Sequence, residues 1–251
     1  MAEHARQGSR TLESILARLS PEAYYQSPGG RRFLIAAALL AGVQPGMRVV
    51  DVECGIGSAA VDLAEAFGCQ VTAFDNYAPY TAFGRQHAIA RGVGKLVTFR
   101  AMDGTAAASA FEDRSFDVVL GLGGALGDTL PGGLKGGLAT AARWCVPGGH
   151  LICGDLVAPG KPSDLMRFVF GETLLGEEDF FAAVTEAGFD LVFAARATSA
   201  DWDAMSETMR RLRERALDLG PPDERQRQKL TEAARNHPEL AYLNVLARRR
   251  D

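Results

Sequence analysis

The chain has 251 residues, of which 47% are hydrophobic and 23% are charged, and its formal net charge at pH 7 is −4. A chain of this length can bury a full core, and these fractions are ordinary for globular proteins. The acidic balance excludes the basic surface that nucleic-acid-binding proteins need. No apolar run approaches the roughly 18 residues of a membrane span. We therefore expect a globular protein with neither a nucleic-acid nor a membrane partner.

The first residues and the cysteines indicate the compartment. The opening segment Met-Ala-Glu-His-Ala-Arg-Gln lacks the apolar core of a signal peptide. The cysteines are scattered, with no Cys-x-x-Cys pair and no histidine cluster near them. We expect reduced core thiols in a cytoplasmic protein and no metal site. These cysteines are Cys54, Cys69, Cys145 and Cys153.

The N-terminal region, residues 1–45, is predicted to form a helical lid and the first helix that covers the sheet. An apolar stripe predicts a helix over residues 9–26, which Pro21 interrupts. A second helix, Phe33 to Ala41, follows a pair of glycines. The residues of the first stripe are Leu12, Ile15, Leu16 and Leu19.

Strands and helices alternate through residues 46–197, which we interpret as an α/β core that binds a cofactor. Such alternation predicts a doubly wound, Rossmann-like sheet of seven mostly parallel strands with helices on both faces. The predicted strands are 47–52, 70–74, 96–101, 116–121, 149–154, 189–196 and 240–247. The predicted core helices are 58–67, 79–91, 133–144 and 177–187.

The alternation stops in the last region, residues 198–251, which is predicted to be a helical insertion followed by the last edge strand. Residues 198–238 are rich in charge and indicate one or two amphipathic helices, with Pro221-Pro222 between them. Because the final strand follows this excursion, we expect it to form an antiparallel hairpin at the sheet edge. The insertion would then serve as a cap over the site or as an interface in a homodimer; a monomer fits equally well.

The most informative segment is the glycine turn after the first strand. Residues 47–52 are β-branched enough to be a strand that is buried on both faces. Gly55 and Gly57 allow a tight reversal that brings backbone N–H groups close to a ligand, and a helix opens at Ser58. This arrangement is typical of folds that bind a nucleoside cofactor.

Three acids end successive predicted strands. Asp51 lies inside the glycine turn, and Asp75 follows the second strand, 18 residues after Gly57. An acid in the position of Asp75 can accept hydrogen bonds from both hydroxyls of a ribose. Asp103 follows the third strand, where its carboxylate would accept from the exocyclic amine of an adenine. Because the carboxyl ends of parallel strands share one edge, we expect these acids to form one adenosyl site.

Four segments carry a resemblance to a known family. They are the glycine motif Asp51-Val-Glu-Cys-Gly-Ile-Gly57, residues 92–104, which include Asp103, residues 115–123 at the fourth strand, and residues 144–152, which begin with Trp-Cys-Val-Pro-Gly-Gly. Over about residues 28–195 the chain resembles class I S-adenosylmethionine-dependent methyltransferases of the small-molecule type. The resemblance implies S-adenosylmethionine as cofactor and in-line methyl transfer to a small-molecule acceptor. The implied cofactor-binding residues are Asp51, Glu53, Cys54, Gly55, Gly57, Asp75, Asn76, Met102, Asp103, Gly121 and Leu122.

One residue departs from the family motif, because Glu53 occupies the position of its first glycine. A glutamate brings a side chain and a negative charge to a place where the backbone normally lies against the cofactor. Either the side chain points away or pairs with the cofactor's ammonium group, or it weakens the site. We expect the first outcome and a working cofactor site.

Methyl transfer needs little acid–base chemistry beyond a proton acceptor for oxygen or nitrogen nucleophiles. The candidates are Asp128, after the fourth strand, and Asp155, after the fifth. Tyr24 and Tyr25 either close over the cofactor as a lid or pack the N-terminal helix on the core. Of the histidines, His87 is expected at the surface of its helix.

Two alternatives to a methyltransferase stay open at this point. The segment Gly55-Ile-Gly-Ser-Ala-Ala60 satisfies a relaxed dinucleotide fingerprint, as in NAD(P)-dependent oxidoreductases. However, Asp51 lies only four residues before Gly55, and the second half has no Tyr-x-x-x-Lys pair. The other alternative is a catalytically impaired binding protein with the methyltransferase fold, which Glu53 favours.

Overall fold

The strand β1 (Arg48–Val52) is buried from Val49 onward and lies near the middle of a mixed, eight-stranded sheet. The structure is a computed structural model that describes residues 11–170, 173–214 and 239–251. The strand order is β3-β2-β1-β4-β5-β8-β7, and β6 pairs with the end of β5. The other strands are β2 (Gln70–Asp75), β3 (Val97–Ala101), β4 (Phe116–Gly121), β5 (Cys145–Ala158), β6 (Leu175–Gly176), β7 (Phe189–Arg196) and β8 (Ala241–Arg249).

Helices cover both faces of this sheet, so the predicted doubly wound α/β fold is confirmed. Because side chains alternate along a strand, Val49 packs into one apolar core while Val50 and Val52 pack into the other. The helices of the first face are α2 (Gly30–Leu40), α3 (Ser58–Phe67) and α4 (Ala78–Ala90), with α1 (Leu12–Leu16) packed on α2. Those of the second face are α5 (Gly104–Ala110), α6 (Ala125–Thr129), α7 (Gly133–Trp144) and α9 (Glu177–Glu186).

The order of strand pairing places a crevice at the carboxyl ends of β1 and β4. β1 pairs in parallel with β2 on one side and with β4 on the other. The connections therefore run in opposite directions from this point, which is where open α/β sheets bind ligands.

The predicted antiparallel hairpin at the sheet edge is confirmed, with β8 between β5 and β7. β8 is antiparallel to both neighbours and pairs with β5 from His150↔Arg248 to Val157↔Ala241. This long ladder extends β5 well beyond the predicted residues 149–154. The short strand β6, which the sequence pattern does not show, pairs in parallel with the same extension.

A third apolar cluster forms a cap above the carboxyl edge. It joins α10 (Ser199–Glu214) to the N-terminal segment and to β8, through Trp202, Met205 and Met209 on the helix and through Tyr24 and Tyr242 below it. The short helix α8 (Asp164–Phe170) contributes Phe170 at the edge of this cluster. The predicted helix beyond Pro221-Pro222, and residues 1–10 of the predicted lid, lie outside the described residues.

Two expectations about the N-terminal half are wrong. A helix is predicted over residues 9–26, but among the described residues of this range only α1 is helical. After α1, the guanidinium of Arg31 donates to the carbonyl of Ser20 at 2.6 Å, and the backbone N–H of Tyr24 donates to Oγ of Ser58 at 3.0 Å. These bonds hold the segment after α1 in a non-helical path. His87 is buried instead of exposed, since Phe83 stacks on its ring at 6.1 Å.

No helix among the described residues is both long and apolar enough to cross a bilayer. All four cysteines are free thiols. The described residues contain no group of histidine, cysteine and acidic side chains that would hold a metal ion.

Candidate functional site

A cavity lies at the carboxyl edge of the sheet, over β2, β1, β4 and β5 and under the cap. The N-terminal segment, the glycine turn, the loop after β4 and helix α10 all contribute to its wall. Its polar lining residues are Gln26, Ser27, Asp51, Glu53, Cys54, Ser58, Asp75, Asp128, Asp155, Thr173, Tyr24, Tyr25 and Tyr242. Its larger apolar lining residues are Leu122, Leu134, Leu156, Phe170, Leu174, Leu175, Phe180, Met205 and Met209.

The glycine turn is tight because its residues adopt left-handed backbone conformations. Gly55 has φ 52° and Gly57 has φ 81°. A Cβ on Gly57 would lie 2.5 Å from the Phe99 ring, and one on Gly55 would lie 2.6 Å from Oε1 of Gln26. Gly57 thus allows helix–strand packing, and the bare backbone of Gly55 faces the cavity, as a close ligand approach requires.

Glu53 also has a left-handed backbone, with φ 52°. Non-glycine residues rarely adopt this conformation, which costs them about 1–2 kcal/mol. This left-handed backbone explains why the family motif has a glycine at the position of Glu53. Glu53 is half-buried and is among the residues that line the cavity.

Asp75 links the glycine turn to the start of α4. Its Oδ2 accepts from the backbone N–H of Gly55 at 2.9 Å, and its Oδ1 accepts from that of Tyr77 at 2.8 Å. Asp75 is only 2% exposed and lines the cavity, as expected for an acid that holds a ribose.

Asp51 is a buried acid whose Oδ2 atom has no hydrogen-bond partner among the described residues. Burial, followed by the nearby charge of Asp75, raises the pKa of Asp51 to about 8, against the opposing effect of the Ala60 backbone N–H. Buried polar atoms are normally paired, since leaving one unpaired costs about 1–3 kcal/mol. The Nε2 atom of Gln26, on the same cavity wall, is likewise unpaired among the described residues. Both atoms fit the donors and acceptors of a nucleoside cofactor.

The remaining cofactor candidates are spread more widely. Asp103 is exposed and caps α5, where its carboxylate accepts from the backbone of Ala106 at 2.8 Å. Asn76 is exposed, and the backbone of Met102 donates to the carbonyl of Asp75 at 3.0 Å. Asp103, Asn76 and Met102 do not line the cavity. Gly121 does not line it either, whereas Leu122 does. Cys54 also lines it, and burial raises the pKa of its thiol far above the usual range, so it stays protonated.

The two catalytic candidates, Asp128 and Asp155, meet beside Gly124 at the other end of the cavity. A Cβ on Gly124 would lie 3.3 Å from Oδ2 of Asp128 and 3.2 Å from Oδ1 of Asp155. Burial, followed by the charge of Asp128, raises the pKa of Asp155 to about 7, although the N–H of Leu156 opposes the shift. Asp155 therefore has a pKa suited to a proton acceptor near neutral pH.

Sequence reasoning missed Tyr242, which lies on β8 opposite Leu156. Its hydroxyl accepts from the backbone N–H of Gly123 at 2.6 Å, and its ring is 2% exposed. Burial raises the pKa of this hydroxyl well above its usual value. Tyr242 therefore ties the loop after β4 to the last strand.

The predicted alternatives for Tyr24 and Tyr25 both hold in part, because both side chains are buried and both line the cavity. Tyr25 donates to Oδ2 of Asp62 at 2.8 Å, and the guanidinium of Arg211 on α10 lies 5.1 Å from the Tyr24 ring centroid. The apolar residues after β5 likewise differ in whether they are exposed, buried or part of the cavity wall. Leu165 and Phe168 are exposed, Met166 is buried, and Phe170, Leu174 and Leu175 line the cavity.

Comparison with known proteins agrees with this geometry. Residues 49–149 match the family model described as a methyltransferase domain. The chain is 27% identical over 191 residues to a phosphoethanolamine N-methyltransferase of Triticum aestivum, covering 72% of this chain and 34% of that protein. It is 32% identical over 98 residues to a sterol 24-C-methyltransferase of Yarrowia lipolytica, covering 39% of this chain and 25% of that protein.

A solved structure extends the similarity to nearly the whole fold. The S-adenosylmethionine-dependent methyltransferase of Thiobacillus denitrificans, solved with S-adenosyl-L-homocysteine, superposes with a TM-score of 0.69 at 23% identity, covering 90% of this chain and 94% of that one. Residues 49–149 are therefore similar to a methyltransferase domain, and the chain shares its fold with this solved methyltransferase. The matched segment includes the glycine turn that also satisfies the dinucleotide fingerprint, so the comparison favours the methyltransferase interpretation of this turn. The chain spans about a third of the length of the wheat relative.

Proposed function

We propose that this protein is a methyltransferase that transfers a methyl group from S-adenosylmethionine to a small-molecule acceptor by in-line displacement. One observation supports this most strongly. A single cavity joins the acids Asp51 and Asp75 beside the glycine turn to the acids Asp128 and Asp155 beyond β4. The first pair suits an adenosyl cofactor, and the second pair lies where an acceptor and its proton would be.

Each chain segment has a part in this proposal. Residues 46–197 would bind the cofactor, while residues 1–45 and 198–251 would close the acceptor side. Asp75 would accept from the ribose hydroxyls, and Glu53 would supply negative charge to the cofactor's ammonium group. The free cysteines are consistent with the reducing cytoplasm, which we propose as the compartment.

When bound, the cofactor supplies a methyl group that is already activated on a sulfonium. The protein would then hold the acceptor in line within a site that excludes water. Met205 and Met209 of α10 are buried and line this site. Asp155 would take the acceptor's proton, since a pKa near 7 gives it both the ionised form and proton affinity at neutral pH.

Isothermal titration calorimetry with S-adenosylmethionine and with S-adenosylhomocysteine tests the cofactor part. We expect both to bind the wild type and Asp75→Asn to weaken them roughly tenfold or more, since the ribose loses a charged acceptor. Asp190→Asn is the matched control, because Asp190 is exposed on β7 and pairs with Arg250 at 2.8 Å. Wild-type protein that binds neither compound would overturn the proposal.

A non-catalytic binding protein is the second candidate, and the left-handed Glu53 in the cavity wall favours it. If Glu53 fills the cofactor's place, Glu53→Gly will gain affinity for S-adenosylmethionine. If Glu53 pairs with the ammonium group, as we propose, the same change will lose it.

A further inference from the structure

One stretch of the cavity wall has no regular secondary structure. This wall segment, residues 20–27, lies between α1 and α2 and contains neither helix nor strand. Its side chains Tyr24, Tyr25, Gln26 and Ser27 line the cavity. Because the wall segment lacks the hydrogen-bond ladder of a helix or a strand, its position depends on groups from other parts of the fold.

A buried acid outside the cavity supplies the centre of these contacts. Asp62 on α3 is 1% exposed and is not among the residues that line the cavity. Its Oδ2 accepts from Nε of Arg31 at 2.7 Å and from the hydroxyl of Tyr25 at 2.8 Å. Its Oδ1 accepts from Nη2 of Arg31 at 3.0 Å and from Nη2 of Arg91 at 3.1 Å. A carboxylate has about four acceptor positions, so Asp62 is fully engaged by other protein groups.

Arg31 on α2 and Arg91 after α4 connect Asp62 to the backbone of the wall segment. Nη1 of Arg31 donates to the carbonyl of Ser20 at 2.6 Å, and Nη1 of Arg91 donates to the carbonyl of Glu22 at 3.0 Å. The side chains of these arginines are only 17% and 8% exposed. Breaking a buried ion pair leaves charge without compensation, so loss of the Asp62 carboxylate should displace both arginines and the backbone that they hold.

The anchored backbone brings Gln26 to the glycine turn. The backbone N–H of Tyr24 donates to Oγ of Ser58, the first residue of α3, at 3.0 Å. Two residues further on, Oε1 of Gln26 lies 2.6 Å from where a Cβ on Gly55 would be, so the side-chain amide lies against the turn. Its Nε2 atom is buried and has no hydrogen-bond partner among the described residues. A ligand held at the glycine turn would therefore meet Gln26 only while the wall segment is in place.

We propose that Asp62 is a positioning residue for cofactor binding. Through Arg31, Arg91 and Tyr25 it holds the wall segment against the glycine turn, although it does not itself touch the cavity. The identity of the cofactor, S-adenosylmethionine, rests here on the proposed function. A ligand that needs the wall in place has an apparent affinity proportional to the fraction of molecules in that state. Loss of the Asp62 carboxylate thus weakens cofactor binding without removing any group that touches the cofactor.

Two neighbouring arginines of α2 provide a matched pair of variants. Arg31→Met removes an anchor of the wall segment, whereas Arg32→Met removes the same charge from an exposed pair with Glu13 at 2.7 Å. By calorimetry on the full chain, S-adenosylhomocysteine should bind Asp62→Asn roughly tenfold more weakly and Arg31→Met roughly threefold or more. Arg32→Met should stay within about twofold of the wild type. Circular dichroism checks folding, and Arg31→Met decides the matter if Asp62→Asn does not fold.

A further variant separates positioning from a general loss of stability. Phe189 is fully buried and is the first residue of β7. Because β5 and β7 are both antiparallel to β8, Phe189 lies at the opposite edge of the sheet from the cavity. Phe189→Ala should lower the urea midpoint and leave S-adenosylhomocysteine affinity within about twofold. If it weakens binding as much as Asp62→Asn does, the effect is one of general stability and the inference is wrong.

Hydrogen exchange measured by mass spectrometry reports on the wall segment directly. In the unliganded protein, the amides of residues 20–27 should exchange roughly tenfold faster in Asp62→Asn, faster in Arg31→Met and as in the wild type in Arg32→Met. S-adenosylhomocysteine should slow this exchange in the wild type, since coupling between wall and ligand is reciprocal. Unchanged exchange in both Asp62→Asn and Arg31→Met would contradict the anchoring. Faster exchange with unchanged affinity would show that the wall does not contribute to binding and would equally overturn the inference.

Failure of the inference can be told apart from failure of the proposed function. If the wild type binds neither S-adenosylmethionine nor S-adenosylhomocysteine, the proposed function fails, and exchange in the unliganded variants still decides whether Asp62 holds the wall. If the wild type binds both and the Asp62 and Arg31 variants bind them equally well, only the inference fails.

Discussion

The Oδ2 atom of Asp75 accepts a hydrogen bond from the backbone N–H of Gly55 at 2.9 Å, so the acid that ends β2 holds the glycine turn that follows β1. A second bond, from the N–H of Tyr77 at 2.8 Å, fixes the start of α4 to the same carboxylate. One side chain thus organises the turn before any ligand arrives.

Removing this side chain should therefore affect both stability and binding. Asp75→Ala leaves two backbone N–H groups without a charged acceptor, and we expect a loss of about 2–3 kcal/mol in the free energy of unfolding. Urea denaturation measures this loss. Asp190→Ala, which removes an exposed ion pair, should change the free energy by less than about 1 kcal/mol. A stable Asp75→Ala variant that still binds S-adenosylmethionine as the wild type does would contradict the role of Asp75.

Substitutions of Glu53 can separate the effect of its backbone strain from the effect of its charge. Glu53→Gly relieves the left-handed conformation, while Arg114→Gly relieves the same conformation at an exposed residue with φ 54°. We expect both variants to change unfolding free energy by less than about 1 kcal/mol, because the relieved strain is offset by the freer unfolded chain.

Only one of these two variants should change cofactor binding. Glu53→Gly and Glu53→Gln should each weaken S-adenosylmethionine roughly threefold to tenfold by calorimetry, because the ammonium loses a negative partner. Arg114→Gly should bind as the wild type does. Tighter binding by Glu53→Gly would show that the glutamate obstructs the site.

The buried Asp51 predicts how stability depends on pH. Its pKa rises from 3.8 unfolded to about 8 folded, chiefly through burial, so the folded protein holds an extra proton between these values. The unfolded state ionises first, and stability must fall as pH rises from about 4 to about 8. Between pH 5.5 and 7.5 we expect a loss on the order of 2 kcal/mol from this group, since each pH unit costs up to about 1.4 kcal/mol.

Asp51→Asn is the variant that isolates this effect, since the amide is isosteric and does not titrate. Its unfolding free energy, measured with urea across the same pH range, should vary less than that of the wild type. At pH 7.5 the variant should be the more stable protein and the weaker binder of S-adenosylmethionine. A wild-type stability that increases over this range would contradict the buried, protonated state of Asp51.

The contrast between Asp51 and Tyr242 shows how far sequence reasoning reaches. Asp51 and Asp75 lie at the ends of parallel strands whose apolar runs are local patterns, so their meeting at one edge follows from the fold class. Tyr242 reaches the site only through the register Leu156↔Tyr242. A shift of one residue would turn its side chain to the other face, and no local pattern fixes that register.

The cap and the third acid were harder to predict for different reasons. Asp103 stands at a strand end, as predicted, but its carboxylate caps α5, an alanine-rich helix with no apolar periodicity to predict it. Met205 and Met209 lie in a segment whose charge indicated an amphipathic helix, but not which part of the protein its apolar face would cover. Such placements depend on tertiary packing between distant segments.

Tyr242 also gives a test of the loop after β4. Tyr242→Phe removes the acceptor of the Gly123 N–H and should cost about 1–2 kcal/mol of unfolding free energy. Because Gly123 precedes Gly124, whose Cα lies beside Asp128 and Asp155, amide hydrogen exchange in the loop after β4 should become several-fold faster, while S-adenosylmethionine affinity stays within about twofold. Tyr25→Phe is the matched control, since it removes a hydroxyl bonded to Asp62 at 2.8 Å and leaves the loop after β4 intact. If Tyr25→Phe accelerates exchange in this loop as much as Tyr242→Phe does, the effect is one of general stability, and Tyr242 does not hold the loop after β4.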